Sequence, residues 1–133
     1  MKVDRACMLL YAVTDQSWLG SKTVAEVVEE AVAAGATFVQ LREKEASDRT
    51  FMEAARAVKA VTDRYQVPLV INDNVAVAMA VDADGVHVGQ EDMPVAAVRG
   101  LIGPDKILGV SAQNAAQAVA AQNDGADYIG VGA

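Results

Sequence analysis

Cysteine is almost missing from this chain. Cys7 stands alone, so no internal disulfide can form, and a reducing, cytoplasmic setting is the expectation. Nothing beside Cys7 would activate a thiolate, and it reads as filler near the first strand. Cations are scarce as well: 11 Lys and Arg against 18 Asp and Glu leave a net charge of −7. That balance argues against non-specific binding to nucleic acid or to an anionic membrane. No apolar run reaches the ~18 residues of a membrane span. Residues 6–13 follow Lys2 and Arg5 as a signal peptide would, but Thr14-Asp15 stands where a small-residue cleavage site belongs, so the run reads as a strand. The chain also lacks a P-loop, a dinucleotide fingerprint, a Ser-His-Asp arrangement and any Cys/His zinc spacing.

What is present is an alternation. The 133 residues are 53% hydrophobic, enough for one domain, 1–133, with a sizeable core. Apolar periodicity predicts strands at 8–13, 37–43, 67–71, 84–88, 107–110 and 127–131. Between them it predicts helices at 23–34, 47–65, 75–81, 94–101 and 114–122. Gly35 should end the first helix and Pro94 open the fourth, while Asn114 and Gln117 have capping-box spacing. The second helix should bury Phe51, Ala54, Ala55, Val58, Val61 and Tyr65. Strand–helix alternation means a parallel α/β sheet, either a (β/α)8 barrel or an open doubly wound sheet. A barrel takes eight βα units over typically ~250 residues. The pattern here supplies about six of the eight, which reads as a barrel truncated after its sixth strand.

Chemistry gathers where strands end. In Val39-Gln40-Leu41-Arg42-Glu43-Lys44 the two-residue period puts Gln40, Arg42 and Lys44 on one face. Unpaired cations are costly to bury. A planar fork beside a point charge suits a phosphate or diphosphate, unless both simply reach water or pair with Glu43 and Glu45. Strand three runs into Asn72-Asp73-Asn74, strand four into His87-Val88-Gly89-Gln90-Glu91-Asp92, and strand five into Ser111. Asp73 and Asp92 follow neighbouring strands, ~4.8 Å apart, and two such carboxylates can hold one Mg²⁺ completed by water and substrate phosphate. Each also has a plain alternative. Asp92 could cap the helix at Pro94, and Asp73 or Asn74 the helix at Val75. Ser111 could be an ordinary loop hydroxyl. A lone His87 is more often a hydrogen-bonded core residue.

Five segments together resemble thiamine phosphate synthases: Leu10–Asp15, Val39–Lys44, Ile71–Asn74, His87–Pro94 and Gly109–Ser111. They occur in that family's order, and the resemblance runs along the whole chain. It implies a TIM (β/α)8 barrel and a transferase of thiamine biosynthesis. Such an enzyme joins 4-amino-2-methyl-5-hydroxymethylpyrimidine diphosphate to a thiazole phosphate with Mg²⁺ and releases pyrophosphate. By the resemblance, Gln40, Arg42, Lys44, Asn72 and Ser111 contact the pyrimidine substrate, with Arg42, Lys44 and Ser111 closest to the chemistry, and Asp73 and Asp92 are the metal ligands. The family's Pro-Thr-x-Thr-Lys loop for the thiazole phosphate follows its sixth strand and has no counterpart here. The expectation is therefore an isolated chain that is inactive and that either self-associates through exposed strand edges, as a homo-oligomer, or is only partly ordered. Competing readings are the related thiazole tautomerase, which moves a proton without metal, and an inactive diphosphate-binding fragment.

Overall fold

The structure, a computed structural model, describes residues 3–132. Six strands form one parallel sheet in sequential order: β1 (Tyr11–Val13), β2 (Phe38–Leu41), β3 (Leu69–Asn72), β4 (Gly85–Val88), β5 (Ile107–Ala112) and β6 (Tyr128–Val131). The helices between them are α1 (Val24–Ala33), α2 (Asp48–Tyr65), α3 (Val75–Ala80), α4 (Val95–Ile102) and α5 (Ala115–Asn123). Sequential order decides between the two predicted architectures. A doubly wound sheet reverses direction at a switch point and carries helices on both faces. Here every right-handed crossover runs the same way, so the helices cover one face. The other face curls inward as a half-barrel. The Tyr11 and Tyr128 rings meet across it, with centroids 5.7 Å apart.

The strand period sorts side chains between these faces. Val39, Leu41, Leu69, Ile71, Val86, Val88, Leu108 and Val110 point outward and form the main core with Val28, Val58, Val77 and Val98 of the helices. Phe38, Val70 and Ile107 point inward and pack with Tyr11 and Tyr128. Above this apolar layer the inward positions turn polar: Gln40, Asn72, His87 and Ser111. The layering is that of a barrel interior.

Most boundaries fall within a residue or two of prediction, and the departures have local causes. Residues 8–10 are not strand. Met8 and Leu9 donate back to Arg5 and Ala6 in turns, Leu9 is 82% exposed, and pairing starts only where Tyr11 meets Phe38. Strand β2 stops at Leu41 because the Thr14 hydroxyl takes the Arg42 N–H at 2.9 Å. Arg42 and Lys44 therefore sit on a loop, both exposed. Tyr65 is not core: it lies at the helix surface with its hydroxyl donating to Glu29, and Thr62 is buried in its stead. Asn114 caps α5 as expected, but the Gln117 side chain reaches the Gln113 N–H, one residue short of a full box. The complete capping box is at Thr23 and Glu26. Among the described residues no helix is long and apolar enough to cross a membrane.

Candidate active site

A cavity of about 760 Å³ opens at the carboxyl ends of the strands. Its walls include Gln40, Arg42, Asn72, His87 and Ser111, so four predicted site residues and the lone histidine face one space. Tyr11, Tyr128 and Gly130 also line it. Sequence reasoning did not place these three in the site, although the two-residue period sets Tyr11 level with Phe38 and Tyr128 two residues before Gly130.

The polar wall is continuous. Asn72 Nδ2 donates to Gln40 Oε1 at 2.9 Å, and Gln40 Nε2 donates to Tyr11 Oη at 2.8 Å. Tyr11 and Tyr128 share a hydroxyl–hydroxyl hydrogen bond of 2.5 Å. Tyr128 Oη lies 2.9 Å from His87 Nδ1, and His87 Nε2 lies 2.8 Å from Ser111 Oγ. His87 is thus both the packed residue expected and part of the cavity wall. Burial pushes both phenols up, so they stay neutral at ordinary pH. Burial likewise holds the imidazole down, from 6.5 to about 4, and the charge of Asp92 offsets part of that.

The His87 shift has a consequence for stability. As pH falls below 6.5 the unfolded chain takes up a proton that the folded imidazole refuses, so stability is lost progressively until about pH 4. The loss is on the order of 3 kcal/mol, from 1.36 kcal/mol per pH unit. Thermal unfolding between pH 7 and 4, compared with His87→Gln, checks this: the variant should lose distinctly less over that window.

The acidic residues take a different position. Asn74 caps α3, its Oδ1 accepting from the Val77 N–H, which leaves Asp73 free of that role. Asp73 adopts φ +66°, a left-handed conformation that Asp tolerates better than most residues. Asp92 does not cap α4, whose N-cap is Pro94 without a side-chain bond. Its Oδ2 accepts the Gly89 N–H at 2.8 Å instead. Asp73 and Asp92 lie near enough for their side chains to interact. Burial first, then the Asp92 charge and this contact, raise the Asp73 carboxyl, against an opposing pull from Lys44. Asp73 thus feels the charges of both Asp92 and Lys44, and none of the three lines the cavity. No third His, Cys, Asp or Glu joins them among the described residues.

Local devices hold the rim in place. Thr14 fixes the Arg42 backbone. Glu43 turns from the cavity and is buried, accepting from the Gln16 amide. Gln90 Nε2 donates to the Ser111 carbonyl at 2.8 Å, tying the loop after β4 to the end of β5.

Residues 10–133 match the thiamine monophosphate synthase family. The chain belongs to that family. It is 60% identical over 124 residues to a thiamine-phosphate synthase of Ruminiclostridium cellulolyticum, covering 93% of this chain and 59% of that protein. With the thiamine-phosphate synthase of Caldanaerobacter subterraneus subsp. tengcongensis it shares 55% identity over 130 residues, 98% of this chain and 61% of the relative. A thiamine phosphate pyrophosphorylase structure from Pyrococcus furiosus superposes with a TM-score of 0.89 at 40% identity, over 97% of this chain and 62% of that one. The chain therefore spans about three-fifths of the length of the family members it matches. The curled parallel sheet described above is this family's fold in residues 3–132.

Proposed function

We propose that this chain carries the pyrimidine-diphosphate half of a thiamine phosphate synthase site, in a six-strand portion of an eight-stranded barrel. The observation behind this reading is that Arg42 lines one cavity with a neutral polar wall, while Lys44 and Asp92 act on Asp73 at the neighbouring strand ends. Cations and carboxylates together suit a diphosphate with a divalent ion, and the wall suits a polar heteroaromatic ring. Membership in the family supports the reaction: 4-amino-2-methyl-5-hydroxymethylpyrimidine diphosphate and thiazole phosphate give thiamine phosphate and pyrophosphate, a transferase step of thiamine biosynthesis.

The residues fit Mg²⁺. Burial first, and the Asp92 charge second, raise the Asp73 carboxyl, and a divalent cation would relieve the repulsion between the two hard oxygen ligands. Asp73 and Asp92 would hold it, with the remaining positions left to water and phosphate oxygens. When bound, the ion would neutralise charge on the departing diphosphate. The chain's own groups do the rest. Arg42 and Lys44 hold the diphosphate oxygens as negative charge builds on the leaving group. Gln40, Asn72 and Ser111 orient the ring so that the methylene carbon faces the incoming thiazole nitrogen. No wall residue is a strong base, and bond cleavage by loss of diphosphate requires none. This separates the reading from the proton-moving tautomerase.

Calorimetric titration of the chain with the pyrimidine diphosphate, with and without Mg²⁺, tests the proposal. Binding should require Mg²⁺, and the unphosphorylated pyrimidine should bind far more weakly. Equal binding of both compounds without metal would overturn it. Arg42→Lys is expected to weaken diphosphate binding roughly tenfold, since a point charge replaces a two-pronged contact. Its melting temperature should barely move, because Arg42 is exposed. Unchanged affinity in Arg42→Lys would show that the guanidinium fork is not used.

A further inference from the structure

The cavity wall has one property that membership in the family does not supply: its hydrogen bonds have a direction. With the amides oriented as described, Gln40 Nε2 already donates to Tyr11 Oη. Tyr11 Oη has one further partner in the wall, Tyr128 Oη at 2.5 Å. If Tyr128 donated to Tyr11, the Tyr11 proton would have no acceptor in the wall and would depend on water in the cavity it lines. The direction that pairs every proton within the wall has Tyr11 donating to Tyr128 and Tyr128 donating to His87 Nδ1. A neutral imidazole with Nδ1 accepting carries its proton on Nε2. That proton points at Ser111 Oγ, 2.8 Å away. The Ser111 oxygen is thus an acceptor on the wall side, and its own proton is left for the cavity.

We propose that Tyr11, Tyr128 and His87 are positioning residues that hold the Ser111 hydroxyl as a hydrogen-bond donor toward the ligand, so that Ser111 meets an acceptor atom and discriminates against a donor at that position. This rests on the pyrimidine reading above only for the identity of the ligand. The direction of the relay is a property of the free protein. Two glycines in the wall make room for it. A Cβ on Gly109 would lie 2.1 Å from Tyr128 Cζ and 2.3 Å from its Oη, and one on Gly130 would lie 3.4 Å from His87 Cε1. A side chain at 109 would displace the phenol that links the two tyrosines to His87.

The relay is tested first without ligand, by nitrogen-15 NMR of the His87 ring in the unmodified chain at pH 7. The neutral Nε2–H tautomer is expected. A predominant Nδ1–H tautomer would reverse the direction and overturn the proposal. The second arm measures binding of the pyrimidine diphosphate with Mg²⁺ to Tyr128→Phe, Ser111→Ala and the double variant. Tyr128→Phe keeps the ring but cuts the relay and should weaken binding about fivefold. In the Ser111→Ala background the same change should add less than twofold, because its effect passes through Ser111. Full additivity would mean that Tyr128 acts by packing alone and would overturn the positioning role. Absence of binding by the unmodified chain would count against the pyrimidine reading, while the tautomer result would still decide the relay.

Discussion

Asp73→Asn and Asp92→Asn should each abolish most of the Mg²⁺ dependence of pyrimidine-diphosphate binding, lowering affinity at fixed Mg²⁺ by ~10–100-fold or more. That is the range seen when even an indirect metal partner is removed. Asparagine is the informative replacement at both positions. At 73 it tolerates the left-handed backbone, φ +66°. At 92 it can still accept the Gly89 N–H. Charge is then the main thing lost. Without metal or ligand the sign should reverse. Burial and then the Asp92 charge disfavour the ionised Asp73 carboxyl, and removing one of the two carboxylates relieves the repulsive part, so each variant should melt slightly higher than the parent at pH 7. Calorimetry and thermal melts with and without Mg²⁺ read both effects. Asn74→Ala is the control: it removes the α3 cap, should cost ~1 kcal/mol of stability, and should leave the metal dependence intact. Normal Mg²⁺ dependence in both aspartate variants would dismiss the pair as a metal site.

Much of this arrangement was legible in the sequence because it depends on period and punctuation. The strand–helix alternation, the cap at Asn114, the choice of Asp73 or Asn74 as the cap of α3 and the polar residues at strand ends all follow from local chemistry, whereas the capping box at Thr23 and Glu26 was missed. The choice between barrel and open sheet was not local. It lies in strand order, which depends on long-range pairing running in sequence from β1–β2 to β5–β6. The end of β2 was misjudged because a side chain from another strand, Thr14, captures the N–H of Arg42. Residues 8–10 were misjudged because an apolar run was taken as a buried strand, whereas Leu9 and Leu10 are exposed. The hydrogen-bonded wall was hidden for a different reason. It joins Tyr11 to Tyr128 across 117 positions of sequence, and each hydroxyl alone looks like an ordinary core tyrosine.

The same contrast between local and long-range causes sets the expected behaviour of two glycines. Gly85→Ala should destabilise the protein by at least ~3 kcal/mol, at or beyond the upper end of ordinary overpacking. Gly85 pairs with Ile107 in the β4–β5 ladder. A Cβ there would lie 2.0 Å from the Ile107 carbonyl oxygen and 2.6 Å from its carbonyl carbon. Those are backbone atoms in the middle of the sheet, so no side-chain rotation can make room. Relief would require β4 and β5 to part, which would move His87 and Ser111 away from each other, since they lie on those same two strands. Affinity for the pyrimidine diphosphate should fall along with stability. Gly100→Ala is the opposite case. Gly100 lies within α4, a Cβ there meets nothing within 4 Å, and the helix gains a better former. It should raise stability by ~0.5–1 kcal/mol. Urea denaturation midpoints for the two variants should therefore move in opposite directions from the parent. A parent-like midpoint for Gly85→Ala would mean that the β4–β5 approach is looser than 2.0 Å implies, and that the spacing of His87 and Ser111 is set elsewhere.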